Sequence, residues 1–131
     1  MNSKSIQILN SIFLGILGLT ATFFPNEILN NFGIKQDEYL SLVIQIIGAL
    51  YLGFALTNWL GKTILVGGIY GKALYMGNFA HFLIGGLVLL KWNLKNEFPS
   101  IILIILLIGY LIFALLYALN LFRNPSIINK N

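Results

Sequence analysis

The sequence predicts an all-α integral membrane protein, a four-helix up-and-down bundle, and three observations carry that expectation. Of its 131 residues, 58% are hydrophobic and 9% charged, where a water-soluble domain carries about 25% charged residues. Four apolar stretches each approach the roughly 20 residues needed to cross about 30 Å of hydrocarbon. Together they use most of the length, so residues 1–131 read as one four-helix domain with no room for a separate soluble part.

The first helix is expected at about residues 5–24. Its apolar run continues to Phe23, Phe24 and Pro25, which is too long for a signal-peptide core of about 7–15 residues. Ser11, Gly15, Gly18 and Thr22 recur at intervals of four, three and four, a narrow stripe where a neighbouring backbone can approach closely. In the connection that follows, Ile28, Leu29 and Phe32 form a short amphipathic turn lying in the interface and ended by Gly33. Asp37 stands where a helix N-cap belongs.

The second span, about 38–60, places the amides Gln45 and Asn58 and the phenol Tyr51 in an apolar helix, with Trp59 in the interfacial belt. Residues 61–70, GKTILVGGIY, contain two adjacent glycines and are flanked by Lys62 and Lys72, which favours an interfacial turn. A third helix starting near Thr63 is the alternative, and it is then steeply tilted. The third span is otherwise expected at about 71–90, ending at Lys91 and Trp92. On it Gly71, Asn78 and Gly85 fall on one stripe and Leu74, His81 and Val88 on the next, a small and polar face that should meet protein and not lipid. The fourth span, about 99–122, opens on Pro99, whose missing N–H costs nothing in a first turn, and it is stopped by Arg123 and Pro125.

Composition excludes several classes of function. The chain has no cysteine, which removes disulfides, thiol nucleophiles and iron–sulfur clusters. Its net charge of +4 is scattered, too thin for a nucleic-acid surface and explained by membrane topology. With an even number of spans, one side holds Lys4, Lys62, Lys72, Arg123 and Lys130 and no acid; the other holds Lys35, Lys91 and Lys95 with all four acids, Glu27, Asp37, Glu38 and Glu97. That bias places both termini in the cytoplasm. A single histidine cannot hold a metal alone, no serine is expected at its depth to act as a nucleophile, and no acidic or basic residue is expected inside the membrane to couple ions. No metal, cofactor or catalytic residue is assigned.

The residues left to carry function are polar groups at helix centres. Tyr51, His81 and Tyr110 lie at similar depth on three helices, and lipid offers such groups no hydrogen-bond partner. Nearer the cytoplasmic end come Asn58, Tyr75 and Asn78. Two roles are open to these six. They line a polar pocket that orients a lipid-like or quinone-like head group, or they satisfy one another as stitching between helices.

The segments FFPNEILNNFGI, IGALYLGFALTNW and GNFAHFLIGG together resemble the DoxX-like superfamily of small four-helix bacterial membrane proteins, over nearly the whole chain. The resemblance implies an up-and-down bundle in the bacterial inner membrane; some members are similar to membrane subunits of quinone-linked oxidoreductases, and more distant ones bind sterols or other lipids within the bundle. No catalytic residue carries over, because the chain has neither cysteine nor an intramembrane carboxylate. The expectation is a non-enzymatic protein whose partners are membrane lipids, bound among Tyr51, Asn58, Tyr75, Asn78, His81 and Tyr110. The alternative is an assembly subunit whose glycine faces, on the first and third helices, dock to a second copy or to another membrane protein.

Overall fold

Long apolar runs, interrupted at Pro25, at Gly33 and at the Gly67–Gly68 pair, give five α-helices and no strand among the described residues, 2–96 and 100–123 of the computed structural model. They are α1 (Ser3–Phe23), α2 (Pro25–Asn31), α3 (Glu38–Leu60), α4 (Ile69–Lys95) and α5 (Ile101–Arg123). Four of them, α1, α3, α4 and α5, are long and apolar enough to cross a membrane. Pro99 and Pro125 lie outside the described residues.

The helix ends follow local chemistry. Asn2 caps α1 through its side chain, which accepts from the Lys4 amide. Pro25 opens α2, where its fixed φ suits the first turn, and α2 gives way to Gly33, whose φ of 67° is a left-handed conformation that side chains disfavour. Asp37 caps α3, its Oδ1 accepting from the Leu40 amide at 2.9 Å. Residues after α3 form one 3₁₀ turn, Gly61–Thr63. A turn closed by the Gly68 amide on the Leu65 carbonyl follows, and Gly68 is the N-cap of α4. The third span therefore starts at Ile69 and not near Thr63, and it gains its length at the other end, running through Lys91 and Trp92 to Lys95. Its 27 residues extend about 40 Å at 1.5 Å each, longer than the roughly 30 Å of hydrocarbon.

The chain divides into two compact units, Met1–Lys62 and Thr63–Asn131. In the first, α1 and α3 run antiparallel with backbones in contact. A Cβ added to Gly18 falls 2.9 Å from the Leu52 amide and 3.0 Å from the Gly48 carbonyl, and one added to Gly48 falls 2.7 Å from the Thr22 amide. The small-residue stripe of α1 is thus filled by α3 at the level of Gly18 and Thr22. Two polar bonds lace the same seam, Ser11 Oγ donating to the Ala55 carbonyl at 2.9 Å and Gln45 Nε2 to the Thr22 carbonyl at 3.3 Å. The short α2 is tied to α3 by Ser41 Oγ and Asn26 Oδ1, 2.7 Å apart.

In the second unit α4 and α5 are antiparallel and meet through side chains. Gly71, Tyr75, Asn78, Phe82 and Gly86 form the buried stripe of α4, and Leu107, Tyr110, Phe113, Ala114 and Tyr117 that of α5. Spacings of three and four along both helices put these residues on single faces. Val88, expected beside His81 on the inward face, is instead exposed, because the buried stripe runs through Phe82 and Gly86.

Candidate functional site

The second unit is held together by an aromatic core with one polar pair on its flank. Phe82 stacks on Phe113, centroids 5.0 Å apart at 22°, and more loosely on Tyr117 at 6.0 Å. Tyr110 meets Phe82 edge-on at 5.1 Å and Tyr75 meets Tyr117 edge-on at 5.3 Å. Offset and edge-to-face contacts of this kind suit the ring quadrupoles.

His81 sits one residue before Phe82, so the helix turns it to the side of this core, where it is half-buried. Its Nε2 lies 3.2 Å from the Tyr110 hydroxyl, and the two ring centroids are 5.4 Å apart. Both residues are within two positions of the midpoints of their helices, the depth at which bilayer water is absent. Gly85 makes the meeting geometrically possible. A Cβ there falls 2.5 Å from Cε1 of Tyr110, so only glycine lets the ring lie across α4 and reach back to His81.

Of the six residues expected to line a site, four belong to this unit. His81 and Tyr110 are bonded directly, and Tyr75 joins them through Tyr117 and Phe82. Asn78 is fully buried on the same stripe, with Nδ2 donating to the Leu74 carbonyl one turn back at 2.8 Å. Tyr51 and Asn58 are on α3, in the first unit. There Asn58 is fully buried and Nδ2 donates to the Phe54 carbonyl at 2.9 Å, while Tyr51 is half-buried. The two asparagines share one device, an amide that answers a carbonyl of its own helix where no water can.

Sequence reasoning missed Phe82, Phe113 and Tyr117 as the floor beneath the polar pair. Their spacing was readable, with Tyr110, Phe113 and Tyr117 at intervals of three and four, yet aromatics in an apolar helix look alike until one knows which face is inward. It also missed Gln7 and Asn10, both fully buried in α1. Among the described residues no three His, Cys, Asp or Glu side chains converge.

These helices and this polar pair define a class, a multi-pass membrane protein with four candidate spans. No protein-family model matches the chain, and neither the curated proteins nor the solved structures contain a match to it.

Proposed function

We propose that this protein binds a lipid-like or quinone-like amphiphile without transforming it, orienting the polar head at His81 and Tyr110 in the apolar middle of the membrane. The observation that carries this is the 3.2 Å His81–Tyr110 bond at mid-helix, together with the glycine that makes space for it. A phenol can donate one hydrogen bond and accept another, and a neutral imidazole does one of each. With Nε2 protonated, His81 donates to the phenol and the phenol donates to a ligand carbonyl. In the other tautomer Tyr110 donates to Nε2 and its oxygen accepts from a ligand hydroxyl. The pair therefore suits both a quinone and a quinol without gaining or losing a proton. Tyr75 and Asn78 are fully buried on the same stripe of α4 and support the pair from within the core; Tyr51 and Asn58 lie in the first unit and are not needed for it.

The resemblance to DoxX-like proteins supports the same class of ligand and a bacterial inner membrane, with both termini cytoplasmic by the bias of basic residues. The competing role as an assembly subunit rests on glycine faces of the first and third spans. Gly18 is filled by α3, and Gly85 lies under Tyr110, which leaves less of those faces for another chain. The test is native mass spectrometry of protein purified in mild detergent. Wild type retains an amphiphile of a few hundred daltons or more, and His81→Ala, still helical, loses it. Equal retention by the two removes the proposal.

A further inference from the structure

Along the first unit, the seam between α1 and α3 carries an apolar groove of about 340 Å³. Ser11, Gly15 and Ala55 form its floor, and Ile12, Leu56 and Trp59 its exposed walls. Ser11 does not make the floor polar, because its hydroxyl is spent on the Ala55 carbonyl. In hydrocarbon such a groove is lined by some acyl chain in any case, and no hydrophobic driving force selects which. Selection has to come from the headgroup.

The Trp59 end of the groove is basic. Lys62 lies with Nζ 3.3 Å from the centroid of the Trp59 ring, a cation–π contact that holds the ammonium beside the groove's mouth. The antiparallel register brings a second cation to the same level. Seven residues back from Ser11 is Lys4, and seven on from its bonding partner Ala55 is Lys62. The acids of this unit, Glu27, Asp37 and Glu38, belong to its opposite end.

We infer that the groove seats one acyl chain of an anionic phospholipid, with the phosphate held by Lys4 and Lys62 and the Trp59 indole at the level of the ester groups. This site lies on the first unit and shares no residue with the His81–Tyr110 pair, so either can fail without the other. Each basic side chain at an anionic surface is worth roughly fivefold in affinity. The full-length protein in mild detergent is titrated with phosphatidylglycerol and with phosphatidylcholine, and retained lipid is counted by native mass spectrometry. Wild type should prefer phosphatidylglycerol by about 25-fold. The double variant Lys4→Gln/Lys62→Gln should lose that preference, while Lys35→Gln/Lys91→Gln keeps it. Gly15→Leu, filling the floor with the charges intact, should weaken phosphatidylglycerol binding as well, provided its helicity is unchanged; if it misfolds, the charge variants decide alone. Equal retention of the two lipids by wild type overturns the site, as does an equal loss in both charge variants. Full binding by a folded Gly15→Leu overturns the groove as its seat.

Discussion

At the scale of single residues, Gly85 and Tyr110 bear the most. A methyl group at Gly85 falls 2.5 Å from the Tyr110 ring, whereas one at Gly86 meets its nearest side-chain atom, Cδ2 of Leu111, at 3.5 Å, an ordinary contact. Gly85→Ala is therefore expected to cost about 1–3 kcal/mol by overpacking and to break the bond to His81, while Gly86→Ala is tolerated. Thermal unfolding of the two variants in the same detergent checks this, and equal stability refutes it. Tyr110→Phe removes only the hydroxyl. Interhelical hydrogen bonds in membranes average about 0.6 kcal/mol, so its stability should fall by no more than about 1 kcal/mol, and its retention of the proposed amphiphile much more. That Tyr51, His81 and Tyr110 stand near the centres of their spans was legible in the sequence; that His81 meets Tyr110 was not, because depth alone does not say which faces are turned toward each other. The part played by Gly85 was not, since a glycine under a ring and a glycine facing lipid are the same letter until the neighbouring helix is in place.

At the scale of helices, two modes of packing divide the chain. The α1–α3 pair is backbone on backbone through Gly18 and Gly48, and the α4–α5 pair is ring on ring through Phe82. The first mode was visible in the spacing of Ser11, Gly15, Gly18 and Thr22, whose recurrence already implied close approach; its partner face on α3 was not, because Gly48 and Gly53 lie five residues apart and only one of them faces inward. Gly48→Val should separate α1 from α3, since its Cβ is aimed at the Thr22 backbone, which cannot yield as a flexible side chain would. Gly53→Val, with no atom within 4 Å of an added Cβ, should leave the pair intact. A disulfide between cysteines placed at Ser11 and Ala55 reports the approach, forming readily in the Gly53 variant and poorly in the Gly48 variant. Helix boundaries were legible where chemistry marks them, at Asp37 and Gly33. The end of α4 was not, because Lys91 and Trp92 are as compatible with a helix continuing through the interface as with one that stops there.

At the scale of the whole molecule, composition together with four apolar stretches of spanning length specified an all-α membrane protein, because a continuous apolar run of about 20 residues satisfies its backbone in lipid as a helix. Sidedness is tested without removing any native thiol, since the chain has no cysteine. With both termini cytoplasmic, a cysteine at Lys35 is labelled by an impermeant maleimide in intact cells, and one at Thr63 only after permeabilisation; the reverse pattern inverts the topology. The lone histidine offers an equally clean view of the site. In the intact chain, selective ¹⁵N-histidine labelling gives the imidazole nitrogens of one residue, and those of His81 can be followed as a short-chain quinone is titrated into nanodiscs. A saturable shift of the Nε2 resonance in wild type, absent from Tyr110→Phe, is the outcome expected if the pair orients an amphiphile. A resonance that stays put in wild type at saturating quinone contradicts it.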